Sequence, residues 1–285
     1  MGKEMVSVSI VGPAKTGKTS LLAAVQERLS LGDFEIDGHT FSARPVSGLH
    51  GEPQLDALAL RRLKDARDAL VRDEDALSSD GWYSYQASVE STAGDRRELA
   101  LLDSIGEALW PLEGPTVDGA RVSSPSLLRR YDELGIAHAE HVLVVLLNEP
   151  PRPNPEWKPR GEGIPEEVGA YLRGVTFARV VLLVAGAELV GEEPGDTERR
   201  LAEQNRGANS AHGLGELPEV EKQFAQDVIA VLRKTSDLSA TDFSLFRCSA
   251  RGWGEGGGSH WCPIEVLRPF IWAAGFPNEE IGVER

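Results

Sequence analysis

The chain has 285 residues, 41% of them hydrophobic, which suffices for one large α/β domain or two small ones. A formal net charge of −15, with no run of Lys or Arg, argues against a general nucleic-acid binder, because phosphate backbones need a basic face. The only two cysteines, Cys248 and Cys262, lie outside any metal-ligand spacing and read as free thiols.

The first ten residues run directly into a strand pattern, leaving no room for a signal peptide. The apolar runs at 142–147 and 180–185 are too short to span a membrane, so a cytoplasmic location is expected. Val6, Val8, Ile10 and Val11 predict a buried strand, and Leu21, Leu22, Val25 and Leu29 recur at helical spacing. Between them Gly12, Pro13, Ala14, Lys15, Thr16, Gly17, Lys18 and Thr19 fit G-x-x-x-x-G-K-[ST], the phosphate-cradling P-loop. Glycines permit positive φ and close backbone approach, so successive N–H groups can converge on phosphate oxygens. The helix that starts at Lys18, Thr19 and Ser20 adds the positive end of its dipole. In such a site Lys18 meets the β- and γ-phosphates, and the Thr19 hydroxyl ligates Mg2+.

Residues 33–54 read as a loop with a short irregular hairpin, and 55–72 as an amphipathic helix. Residues 82–90 and 97–103 predict a hairpin whose second strand ends in Asp103. An acid after an apolar strand is where P-loop proteins hold Mg2+, and Gly106 makes the segment D-x-x-G. Ser126 is placed to cap a short helix over 127–134 that Gly135 ends. Strands are expected at 141–147, 179–184 and 243–248. Residues 149–167 read as an exposed Pro-rich connection, and 191–217 as a polar, Gly-rich mobile segment. Helices are expected over 220–232 and after Pro263, the latter kinked at Pro269. His50, His138 and His141 have no metal spacing around them and read as surface or core-satisfied histidines.

P-loop, antiparallel hairpin, D-x-x-G and three further strands, in that order, resemble the translation-factor/Ras-like (TRAFAC) class of GTPases over most of the chain. The resemblance implies one three-layer α/β/α domain spanning 1–285, its sheet parallel except for one antiparallel strand at 82–90. Insertions would fall at about 33–80, 111–125, 149–177 and 191–217. It implies GTP or GDP with Mg2+ as ligands, Thr19 and Asp103 as the metal residues, and a Gly106 N–H on the γ-phosphate. Cys248-Ser249-Ala250 resembles the fifth motif, whose backbone meets the guanine edge. The fourth motif departs: N-K-x-D falls on Ala185-Gly186-Ala187-Glu188, where only an acid survives. Glu107 takes the place of the residue that orients water, and Thr40 is the candidate for the second-motif threonine. Lys15 stands where potassium-activated relatives carry an Asn, so its ammonium is a candidate catalytic cation beside Lys18. The degenerate fourth motif and long inserts resemble bacterial proteins of the double-GTPase type.

The expected activity is a switch that hydrolyses GTP to GDP and presents ordered loops to a protein partner. The alternatives are a pseudo-GTPase that binds without turnover, and a P-loop ATPase or kinase. A kinase needs arginines closing over the phosphates; Arg129 and Arg130 read equally as such a lid or as a solvated helix face.

Overall fold

The computed structural model describes residues 4–12, 17–72, 82–104, 126–148, 166–185, 194–206, 226, 229–230, 232–234, 242–250 and 263–276. Its frame is one eight-stranded sheet in the order β2-β3-β4-β5-β1-β6-β7-β8. The strands are β1 (Glu4–Val11), β2 (Asp33–Ile36), β3 (His39–Gly48), β4 (Ser84–Ser91), β5 (Arg96–Asp103), β6 (Glu140–Asn148), β7 (Arg179–Ala185) and β8 (Asp242–Cys248). The helices are α1 (Lys18–Ser30), α2 (Pro53–Val71), α3 (Leu127–Glu133), α4 (Glu166–Leu172), α5 (Pro194–Arg206) and α6 (Arg268–Ala273).

Strand β1 pairs in parallel with β5 on one side and β6 on the other, and β7 and β8 continue the parallel half. β4 runs against β5 and β3 against β4, with β2 against β3. Two strands, β2 and β4, therefore oppose the rest, one more than the single reversed strand expected. The extra one is β2: where a loop with a short irregular hairpin is expected, Asp33–Ile36 pair regularly with His39–Ser42. Asp37 and Gly38, at φ 49 and 83, make the two-residue left-handed turn that matches the twist of its strands.

Side chains alternate across the buried strands, so each sheet face carries its own core. Val6, Val8 and Ile10 of β1 pack with Leu21, Leu22 and Val25 of α1 and with Phe270 and Ile271 of α6. Leu143 and Val145 of β6 face the other way, onto Leu127 and Tyr131 of α3 and Val168, Tyr171 and Leu172 of α4. Pro269 lies in the first turn of α6, where a missing N–H costs nothing, so it starts that helix and does not kink it. Residues 194–206, expected to be mobile, are helical. Among the described residues no helix is long and apolar enough to cross a membrane.

The hairpin tip is tied down by charge. Asp37 accepts from Arg206 Nε at 2.8 Å and from Arg268 Nη1, while Arg268 Nε donates to Glu265 at 2.6 Å. Burial alone would raise the Asp37 carboxyl; hydrogen bonds from Arg268 and Arg206 outweigh it and hold it below the ordinary carboxylate range. A depressed acid contributes stability that is present above its unfolded value and lost as pH falls through the folded one. Asp37→Ala should lose about 1–3 kcal/mol in urea unfolding at pH 7, between the values for exposed and buried pairs. The gap from wild type should close below about pH 4, since protonation removes the same interaction. Equal stability of the two proteins at pH 7 would contradict this role.

Candidate phosphate and metal site

All five parallel core strands end on one edge of the sheet, and the chain crosses from one side of β1 to the other between β5 and β6. Such a switch point at the carboxyl ends of strands leaves a crevice for ligands. Strand β1 ends at Val11, and Gly12 leads into residues 13–16, which lie outside the described residues together with their candidates Pro13, Ala14, Lys15 and Thr16. Gly17 returns at φ 81 as the residue before α1, a left-handed conformation that favours glycine. No side chain caps α1 and its first turn holds no acid, so neither a cap nor a neighbouring carboxylate competes for its first N–H groups.

Lys18, Thr19 and Ser20 open α1. Lys18 is 5% exposed, and its Nζ donates to the Gly12 carbonyl at 3.0 Å, closing the loop upon itself. Thr19 Oγ1 donates to Asp103 Oδ2 at 3.0 Å across 84 positions of sequence. Register explains the meeting: Asp103 stands beside Ile10, two residues before Gly12. Asp103 is fully buried, and its Oδ1 has no hydrogen-bond partner; neither has the Oγ of the neighbouring Ser104. Burial pushes the Asp103 carboxyl above the ordinary range, and Lys18, the Thr19 hydroxyl and Arg130 only partly offset it. A buried carboxylate with an open oxygen next to a hydroxyl is a hard-oxygen pair that fits Mg2+. Among the described residues no three His, Cys, Asp or Glu side chains converge on a metal.

Gly106, Glu107 and Glu188 lie outside the described residues. Ser249 and Ala250 follow β8, whose Cys248, buried and in no disulfide, is level with Ala185 at the end of β7. The fifth-motif segment thus reaches the same edge as the P-loop. The Ser249 backbone, however, is already engaged: its N–H donates to Ile264 O and its carbonyl accepts from Ile264 N, both at 3.0 Å. Thr40 is at the wrong end of β3. Its carbonyl accepts from Thr92 N, whereas Asp103 N donates to Tyr83 O, nine positions away along β4. That is ~30 Å at ~3.3 Å per residue. Only Leu31 and Gly32 separate α1 from β2, so no second-motif loop exists there.

The segment nearest the acid on this side is instead the β3–α2 turn. Leu49 N donates to Ser84 O at 3.1 Å, His50 N to Asp56 Oδ1 at 2.8 Å, and Ser84 N to His50 Nε2 at 3.2 Å. That acceptor role, with burial lowering its pKa, makes His50 a neutral ring protonated on Nδ1. His141 is likewise satisfied, by Ser7 Oγ at 2.6 Å and by stacking on Tyr131 at 4.0 Å between centroids.

Arg129 and Arg130 part company. Arg129 is exposed and bonds Glu133 one turn on, at 2.8 Å, as a solvated face should. Arg130 is 4% exposed, with Nη2 donating to Ser84 Oγ at 2.9 Å and the guanidinium carbon 4.8 Å from the Trp82 ring centroid. The spacing that could have revealed this is Leu127, Arg130, Tyr131, an i, i+3, i+4 face that is buried throughout.

No family model matches the chain, and neither does any curated protein. Among solved structures it is similar to a nucleolar GTP-binding protein 1 from Plasmodium falciparum, with a TM-score of 0.38 and 10% identity over 96% of this chain and 87% of that one. It is also similar to Sup35 complexed with GDP, with a TM-score of 0.27 and 13% identity over 88% of this chain and 39% of that one. Likeness at these scores assigns neither ligand nor activity, which rest on the site's own geometry.

Proposed function

We propose that the chain is a P-loop, GTPase-like protein: one three-layer α/β/α domain over 1–285, with insertions near 33–80, 111–125, 149–177 and 191–217, that binds GTP or GDP with Mg2+ and hydrolyses GTP. The observation that carries this reading is the Thr19–Asp103 contact at 3.0 Å, at the mouth of a glycine loop and with one carboxylate oxygen left open. Lys18 neutralises the β- and γ-phosphates, and the loop and α1 N–H groups cradle them. Thr19 and Asp103 would hold Mg2+, which would supply positive charge against the phosphates. Gly106 donates its N–H to the γ-phosphate and Glu107 orients water. Lys15 supplies a second cation against charge that develops in the transition state. Glu188 and the Ser249-Ala250 backbone meet the base, with guanine preferred weakly because the fourth motif lacks its Asn and Lys. The cytoplasm, and a protein partner that reads the loaded state, complete the proposal.

The test is to purify the chain, identify any nucleotide it retains, and follow phosphate release from GTP and from ATP. Release from GTP that requires Mg2+ and exceeds release from ATP is the expected result. Retained nucleotide with no release from either substrate would favour the pseudo-GTPase reading. Faster release from ATP would favour the ATPase.

A further inference from the structure

The buried guanidinium of Arg130 has, among the described residues, no carboxylate within ion-pair distance, though Asp103 and Glu133 lie in its field. Removing a charged group from water is costly unless a counter-ion and hydrogen bonds replace the solvent. Arg268, equally buried, is paired with the carboxylates of Asp37 and Glu265; among the described residues no carboxylate pairs with Arg130. It is nevertheless held firmly. Nη2 is fixed by Ser84 Oγ at 2.9 Å, one face is fixed by Trp82 at 4.8 Å, and Trp82 is itself stacked on Tyr171 at 5.3 Å. The remaining amino group, Nη1, is buried with no hydrogen-bond partner. A donor so well positioned and so poorly satisfied calls for an anion.

The place where that anion belongs follows from register. Ser84, which anchors the guanidinium, pairs with Leu102, and the preceding Tyr83 receives the Asp103 N–H. Arg130 and Asp103 accordingly lie in each other's field. Among the described residues this one edge thus collects three buried polar atoms without hydrogen-bond partners: Asp103 Oδ1, Ser104 Oγ and Arg130 Nη1. An acid suits a cation, and a guanidinium reaching the same edge of the sheet suits the oxyanion that travels with that cation. We propose that Arg130 is a phosphate-binding residue supplied by α3, donating Nη1–H to an oxygen of the terminal phosphate of a nucleoside triphosphate held at the P-loop.

This rests on the nucleotide-binding reading above and adds to it a residue outside every P-loop motif in the chain. It also makes α3 sensitive to the ligand. The helix carries a donor that a γ-phosphate oxygen would satisfy. Ser9 Oγ to Tyr131 OH, at 2.9 Å, ties the same helix to β1, the strand that feeds the P-loop.

The test compares wild type with Arg130→Met and Arg130→Lys by calorimetric titration with a non-hydrolysable GTP analogue and with GDP, both with Mg2+. Arg130→Met should weaken the triphosphate about 10- to 100-fold, the range for a hydrogen bond to a charged group, while GDP affinity changes less than about threefold. Arg130→Lys should recover part of the loss, because a point charge keeps the attraction without the fork. The melting temperature of ligand-free Arg130→Met should equal or exceed that of wild type, since a buried charge without a paired carboxylate has been removed. A purely structural arginine predicts the opposite: a lower melting temperature and equal losses for both nucleotides. Should Arg130→Met fail to fold, Ser84→Ala, which frees the guanidinium, carries the same test with a smaller triphosphate-specific loss. Equal affinities in all variants, with Lys18→Ala still defective, overturn this inference alone. A wild-type chain that binds neither nucleotide overturns the inference together with the reading beneath it.

Discussion

Lys18→Ala should lose at least about 100-fold in affinity for GTP and GDP alike and keep its fold. Lys18 is 5% exposed, and its Nζ donates to the Gly12 carbonyl at the mouth of the glycine loop. A lysine at the start of a helix that follows a glycine loop is placed to meet anionic oxygens. Phosphate supplies what a carbonyl does not: several anionic oxygens, each worth roughly 1.5–3 kcal/mol as a charge-assisted partner, or about tenfold per 1.4 kcal/mol in affinity. Alanine is also the best helix former at the first position of α1, so urea unfolding of the ligand-free mutant should shift by less than about 1 kcal/mol. Unchanged affinity in calorimetry would remove Lys18 from the phosphate site. A collapse in stability would recast it as a structural residue.

Asp103→Asn should show the second large effect, and on a different quantity. The amide keeps the shape and can still accept from the Thr19 hydroxyl, but it loses the charge that attracts a divalent cation. Loop N–H groups and Lys18 retain most of the ground-state affinity, so binding of GTP should weaken by no more than about tenfold. Mg2+-dependent phosphate release should fall by about 10²–10³-fold, because the metal acts on charge that grows in the transition state. Without Mg2+ the variant should be at least as stable as wild type: a buried carboxylate with an open oxygen, pushed up by burial, is a cost to the folded state. Equal losses in affinity and in rate would contradict this division of labour.

The parts of the fold that alternate or repeat cleanly are legible in the chain itself. β1 shows period two, α1 shows period 3.6, and the glycine loop between them has a fixed spacing, so local pattern suffices. The Asp103 end of β5 is legible for the same reason, as an acid closing an apolar run. Helix α5 is not, because its buried stripe is Thr197, Leu201 and Asn205: the spacing is helical but two of the three are polar. Asn205 is buried to bond the Arg247 backbone on both sides: its Nδ2 donates to Arg247 O at 2.9 Å, and its Oδ1 accepts from Arg247 N at 2.7 Å. A search for apolar periodicity passes over such a face. The hairpin at 33–48 is obscured in a similar way, by Pro45 and by a register shift between Arg44 and Ser47. Pro and polar residues in its outer strands read as a loop until the pairing with β4 is seen.

Site residues divide along the same line. Lys18, Thr19 and Asp103 announce themselves by motif, and the sheet brings them together. Thr40 misleads because a threonine between α1 and the D-x-x-G segment says nothing about which end of a strand it occupies. Arg130 escapes notice for a subtler reason. In Leu-Leu-Arg-Arg-Tyr-Asp-Glu the two arginines are adjacent and look alike, and what separates them is Ser84 and Trp82, far upstream in the chain. Burial of a charge is decided by tertiary partners, and propensity is silent about it.

The most direct measurement of the central claim is a calorimetric titration of the full chain with a non-hydrolysable GTP analogue, with and without Mg2+, set against the matching ATP analogue. The expected result is one saturable site per chain, tighter with Mg2+ than without, and tighter for the guanine than for the adenine compound. Absence of binding by both analogues, in a protein that melts cooperatively, would contradict it.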